Sequence, residues 1–152
     1  MIHLSRSRTL NASPAATWAV LGQFMQIDRI APQITRVEAL SEGAPGIGSK
    51  RRCHFANGSH LVEEVTAWSP GHGYRVQLQD MDPMPLKEAY AALKILPTPD
   101  GGSRVIWSME FRVKWGPIGW LMGQTMMRWM MAGILDANLQ ALETEVQAQR
   151  AA

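Results

Sequence analysis

The sequence predicts an α+β domain in which an antiparallel sheet is covered by one long C-terminal helix. Three observations predict it. Leu135, Leu139, Leu142 and Val146 step by four, three and four, which is one face of an α-helix, and apolar residues continue upstream to Ile118. Residues 35 to 113 read as short alternating segments divided by Gly- and Pro-rich turns, with no comparable helix among them. Consecutive strands with short connections pair antiparallel. At about 1.5 Å per residue a helix from Ile118 to Val146 is roughly 45 Å long, so it alone is large enough to cover a sheet face.

The elements follow in order. Ile2 to Leu10 alternates as a first strand, and Asn11-Ala12-Ser13-Pro14 stops it. Ser13 as N-cap with Pro14 at the first helical position opens a helix over Pro14 to Met25. Ile27 to Ala31 reads as a second short helical turn, ended by Pro32. Thr35 to Ser41 is a strand, and the glycines of Gly43 to Gly48 serve a turn, since neither a Lys-hydroxyl pair nor a helix follows them as in a phosphate-binding loop. Lys50 to Phe55 and His60 to Trp68 form a hairpin. A two-residue Asn-Gly turn would group Cys53 and Phe55 with His60, Val62 and Glu64. A three-residue loop with Gly58 in the left-handed region groups Arg51, Cys53 and Phe55 with Leu61, Glu63, Val65 and Ala67. The second gathers the apolar residues better and leaves Arg52, His54, His60 and Glu64 on the other face. Tyr74 to Leu78, Lys87 to Leu96 and Ser103 to Val113 complete seven strands, with Asp82 to Pro85 and Pro97 to Gly102 between them.

The chain has 152 residues, 46% of them hydrophobic and 18% charged, with a net charge of +2. That describes a single globular domain over 1–152. No basic stripe interleaved with aromatics is present, which argues against a nucleic-acid partner. The single cysteine, Cys53, forms no internal disulfide and fits a reducing compartment. The first residues lack a signal-peptide core, and Gln124, Thr125 and Arg128 break the longest apolar run. A cytoplasmic protein without stable membrane insertion is the expectation.

Ala12-Ser-Pro-Ala-Ala-x-Trp18, Gly46-x-Gly-x-x-Arg51, Glu63 ahead of Ala67-x-x-Pro70-Gly71, and Arg104-Val-x-Trp107-Ser occur in that order. This ordered set resembles the polyketide cyclase/dehydrase branch of the START-like superfamily, also called SRPBCC, the helix-grip fold shared with birch-pollen allergens. The resemblance spans nearly the whole chain. It implies a curved seven-stranded sheet wrapped around the C-terminal helix, with a cavity between them for an apolar or amphipathic small molecule. Members include ligand carriers, aromatase/cyclases and plant lachrymatory factor synthases. In the last an arginine and a glutamate carry the chemistry, and Arg51 and Glu63 hold the matching positions. Ile30 departs from the pattern where many relatives have tryptophan, and the Met-rich start of the long helix is unusually apolar.

Arg51 and Glu63 are the candidate catalytic pair. A guanidinium can hold and polarise an oxygen while a carboxylate in apolar surroundings moves a proton. An internal ion pair that satisfies itself is the competing reading. Cys53, Phe55, Val65, Val76 and Leu78 are candidate ligand-binding residues from the first strands. Tyr90, Trp107, Met109 and Phe111 are candidates from the later ones, and Met122, Met126, Trp129 and Met130 from the helix. The helix's apolar coverage is too wide for one sheet face, so a cavity is the first expectation. A homodimer is left open, and membrane contact is disfavoured because Arg128 alone makes no basic face. His3, His54, His60 and His72 show no ligand spacing, so no metal and no cofactor are expected.

The expected function is therefore binding of a hydrophobic or amphipathic small molecule, a lipid included. The alternative is a cofactor-independent cyclase, dehydratase or isomerase acting on a polyketide-like carbonyl compound. A third reading is an interaction protein docking through the Met-rich helix.

Overall fold

The computed structural model describes residues 1–82 and 84–151. Ile2–Leu10 (β1) leads into Pro14–Leu21 (α1) and a 3-10 helix over Phe24–Arg29. Six strands follow: Ile34–Ala39 (β2), Lys50–Phe55 (β3), His60–Ser69 (β4), Gly73–Gln79 (β5), Leu86–Pro97 (β6) and Ser103–Val113 (β7). The chain ends in Gly116–Met122 (α2), a π-helical turn over Gly123–Met127 and Arg128–Ala151 (α3). Helical backbone angles at Met122, Gly123 and Arg128 make these three pieces one continuous rod. The strands form one antiparallel sheet in the order β1-β7-β6-β5-β4-β3-β2, so α1 and the 3-10 helix carry the chain from one edge to the other. This is the α+β helix-grip arrangement that the sequence implies.

Alternation gives the sheet an apolar face. Leu61, Val65, Val76, Leu93, Val105 and Phe111 are buried on it, and the rod lays Met131, Leu135, Leu139, Leu142 and Val146 over that core. Gly119, Gly123, Met127 and Met131, four residues apart, form the buried seam at the start of the rod. A Cβ on Gly123 would lie 2.4 Å from Ile2 Cδ1, and one on Gly119 only 1.7 Å from the Lys114 carbonyl oxygen. The seam is bare because β1, the end of β7 and Lys114 just after it come that close. Arg8 donates to Glu143 at 3.0 Å and Arg6 lies 3.7 Å from Asp136, fixing the rod's angle to β1 with half-exposed pairs that add little stability. Inside, Ser103 donates to the Ala12 carbonyl at 2.8 Å and accepts from Thr17 at 2.8 Å, latching α1 to β7.

Three expectations are corrected. The first helix ends at Leu21, not Met25. Gly22 caps it by donating to Trp18, and Phe24 and Met25 pass to the 3-10 helix. In β4 the register shifts between Val65 and Ala67, so Ala67 is exposed while Trp68 turns inward. A β-bulge inserts one residue and moves every later side chain to the other face. The long helix starts at Gly116 and contains a π-helical turn rather than uniform α-helix.

Candidate functional site

The site is set by the β3–β4 hairpin. Gly58 adopts φ 87°, its amide donates to Phe55 at 3.1 Å, and the Phe55 amide donates to Ser59 at 2.9 Å. Asn57 Oδ1 accepts from the Ser59 amide at 2.9 Å, an Asx turn that stiffens the loop. This three-residue loop pairs Arg51 with Glu63, Cys53 with Leu61 and His54 with His60. Arg51 and Glu63 thus share the inner face, as the chosen register requires. Arg52, His54 and Glu38 cluster on the outer face, where His54 and then Arg52 hold the Glu38 carboxyl below its ordinary range.

Arg51 is only 2% exposed. Its Nε donates to Glu63 Oε1 at 3.1 Å and its Nη1 to the Phe24 carbonyl at 2.5 Å. The guanidinium carbon lies 3.9 Å from the centroid of the Phe24 ring, a cation–π contact sealed from water. The Cys53 thiol donates to the same Glu63 oxygen at 3.2 Å. Burial opposes the Arg51 charge, but Glu63 more than restores it, so the guanidinium sits above its ordinary pKa and stays a cation. Burial and then the Glu63 charge push the Cys53 thiol up, so it remains a donor. Trp68 stacks on Tyr74 at 5.3 Å, and Phe24 meets Tyr74 edge-on at 5.7 Å, closing an aromatic wall over the pair. The Tyr74 hydroxyl is buried beside the Arg51 guanidinium without reaching hydrogen-bond geometry among the described residues, and burial pushes its pKa up although the Arg51 cation favours the charged form.

The raised Cys53 and Tyr74 values have a consequence for stability. A group that holds its proton more tightly when folded favours the folded state below its unfolded pKa and loses that advantage as pH rises. Stability should be flat up to about pH 9, the ordinary thiol value, and fall beyond it, more steeply above 10 where the Tyr74 phenol joins. The expected slope is at most about 1.4 kcal/mol per pH unit per group. Urea titrations from pH 7 to 11 check this, and Cys53→Ala should remove the part of the slope that begins near 9.

Among the expected ligand-binding residues, Cys53, Val65, Val76, Leu78, Trp107 and Phe111 are buried on the inner face, and Phe55, Met109 and Met122 are half-buried against it. Four do not line an interior. Tyr90 lies on the outer face, its ring 4.0 Å from the Arg75 guanidinium and its hydroxyl donating to Glu88 at 2.9 Å. The small Ala89 and Ala91 take the inner positions beside it. Met126, Trp129 and Met130 are 68%, 80% and 50% exposed, because the glycine seam turns them outward. Beside Arg51 and Glu63 the structure places Phe24, Tyr74 and Trp68, the Phe24 and Tyr74 ring centroids lying 3.9 and 6.0 Å from the guanidinium carbon and Trp68 stacking on Tyr74. Surface depressions of 340, 320 and 630 Å³ are lined by residues other than Arg51 and Glu63. Sequence reasoning missed Phe24, Trp68 and Tyr74. Tyr74 was within reach, since it alternates with Val76 and Leu78 onto the Glu63 face. The Phe24 carbonyl leaves no mark in the letters.

Among the described residues no group of three or more His, Cys, Asp or Glu side chains could hold a metal ion, and no helix is long and apolar enough to cross a membrane. The family model described as polyketide cyclase / dehydrase and lipid transport matches residues 1–147. No curated protein matches the sequence. Among solved structures, the XoxI protein of Bacillus cereus superposes with a TM-score of 0.79 at 20% identity over 99% of each chain. A Thermus thermophilus protein gives 0.78 at 17% identity, over 97% of this chain and 99% of its own. Ara h 8.0201 gives 0.70 at 18% identity, over 97% of this chain and 98% of its own. At such identities the likeness establishes the fold.

Proposed function

The chain belongs to the polyketide cyclase / dehydrase and lipid transport family, and from that premise and the geometry of the buried cluster we propose that it binds a hydrophobic or amphipathic small molecule between the sheet and the helices. The observation that carries the reading is a buried cation that, besides its ion pair with Glu63, donates to a backbone carbonyl of a short 3-10 helix rather than of a strand. The Phe24 carbonyl stands where a ligand's carbonyl or carboxylate oxygen would sit, and the Phe24 ring stands where its apolar body would begin. Gln26, with φ −113° and ψ 29°, already breaks the 3-10 helix internally. Displacing this segment exposes Arg51 Nη1 together with the unpartnered Tyr74 hydroxyl. Both would recognise one polar group at the end of an apolar chain or ring system.

A second reading, acid–base catalysis on a carbonyl compound, is favoured by one detail. Both hydrogen bonds to Glu63 end on Oε1, leaving Oε2 without a bonded partner among the described residues. A proton could move through that oxygen while Arg51 polarises the substrate. Binding is preferred because Arg51 and Cys53 both donate to the carboxylate, which orients it as an acceptor. Native mass spectrometry of the purified protein should show a retained small molecule. Glu63→Gln keeps the shape and removes the charge, so a carrier should change its affinity for that molecule by about tenfold or less. A loss of turnover at unchanged affinity would select the catalytic reading instead.

A further inference from the structure

We propose that the start of the C-terminal rod is a docking face for an anionic lipid surface, a property separate from the buried cluster. The apolar side chains left outside are large and close in sequence: Trp115, Ile118, Trp120, Leu121, Met126 and Trp129 are 55–80% exposed. Single exposed apolar residues need no explanation, but Trp115 and Trp120 sharing one depression, with Trp129 exposed farther along the same rod, do. Tryptophan is the side chain most suited to the boundary between lipid headgroups and acyl chains.

The charges supply the occupant. From residue 111 to 135 the chain has no Asp or Glu, while Arg112, Lys114 and Arg128 lie in that span. The fold adds Lys87 from β6, so that Lys87, Arg112 and Lys114 line one 320 Å³ depression together with Trp115 and Trp120, and no carboxylate lines it. Asp82 reaches Lys114 at 3.4 Å, and its own side chain is 85% exposed, so the pair separates at little cost. Lys87, Arg112 and Arg128 form no ion pair among the described residues, with Glu88 across the ladder from Arg112 and Glu110 in the depression that Arg128 lines, and Arg128 is held by Gln124 at 3.2 Å. Arg128 alone makes no basic face, as its surroundings in sequence suggest, but the start of β6 and the end of β7 gather three other cations beside Trp115 and Trp120. A second copy of this chain would carry the same positive charges to the contact and repel it. Phosphate headgroups complement them.

Backbone geometry agrees. Trp115 has φ 77°, followed by Gly116 at 59°, a left-handed pair at the N-terminus of α2. A bulky residue is rarely held there. Here the turn throws the indole outward, beside the cations.

Vesicles of phosphatidylcholine alone and vesicles mixed with phosphatidylglycerol test the proposal by co-sedimentation of the full chain. Binding to the mixed vesicles alone, weakening as salt is raised, is the expected result. Lys87→Gln with Arg112→Gln should lower the partition about thirtyfold, since each basic residue near a charged surface contributes roughly fivefold. Trp120→Ala with Trp129→Ala should reduce binding while circular dichroism stays unchanged. Equal binding to both vesicle types, no binding to either, or a concentration-dependent dimer that shields the tryptophans from a quencher would each overturn it.

Discussion

Arg51→Met is expected to lower stability by about 3–5 kcal/mol, the penalty for a buried carboxylate whose cation has been removed. The substitution keeps most of the side chain's volume, so the loss cannot be assigned to a cavity. It removes the hydrogen bonds to Glu63 Oε1 and to the Phe24 carbonyl, and the cation–π contact with Phe24. Glu63 then shares its apolar enclosure with only the Cys53 thiol as donor. The double variant Arg51→Met with Glu63→Leu should recover most of the loss, because a buried ion pair replaced whole by apolar groups is often neutral. Equilibrium urea unfolding of the four proteins in the cycle measures both values. A single-variant loss below about 1 kcal/mol would mean that water reaches Glu63 freely, as at an exposed pair.

Phe24→Ala should cost a similar amount, about 3–5 kcal/mol, for a different reason. Phe24 is 1% exposed and is among the largest fully buried side chains. Its ring touches the guanidinium on one side and meets Trp68 at 6.2 Å and Tyr74 at 5.7 Å. Truncation leaves an aromatic-sized void directly over Arg51. The same void should admit a ligand more readily, so the variant is expected to be less stable and to bind an amphipathic anion more tightly. Anilinonaphthalene sulfonate fluorescence at a temperature well below unfolding separates the two effects. Lower stability without added binding would show that Phe24 packs the core without covering a site.

The architecture was legible because its signals are local and redundant. The strand spacing, the Ser13-Pro14 helix start and the Leu135-to-Val146 stripe each point to the same arrangement, and of the two registers open at Asn57-Gly58 the three-residue loop gathers the apolar residues better. That register placed Arg51 and Glu63 together on the inner face. The bulge at Thr66 was not legible, since Val-Thr-Ala-Trp alternates acceptably with or without an extra residue, and one inserted residue decides whether Ala67 or Trp68 faces inward. The Met-rich segment misled for a related reason. Hydrophobicity located the face, whereas Gly119 and Gly123 decide which side of the rod approaches the sheet. Small residues mark a close contact only once the partner is known. Tyr90 is an expected ligand-binding residue, but Ala89 and Ala91 are the residues the packed face has room for.

If the buried hydroxyl of Tyr74 and the cation of Arg51 together receive a ligand's polar end, Tyr74→Phe removes one of the two groups that hold it. An unpartnered buried hydroxyl costs roughly 1–3 kcal/mol of desolvation, so its removal should leave thermal stability unchanged or raise it, while affinity for the retained molecule falls about tenfold. A Tyr74→Phe protein that unfolds at lower temperature and binds as tightly as the parent would show that the hydroxyl serves packing and no ligand.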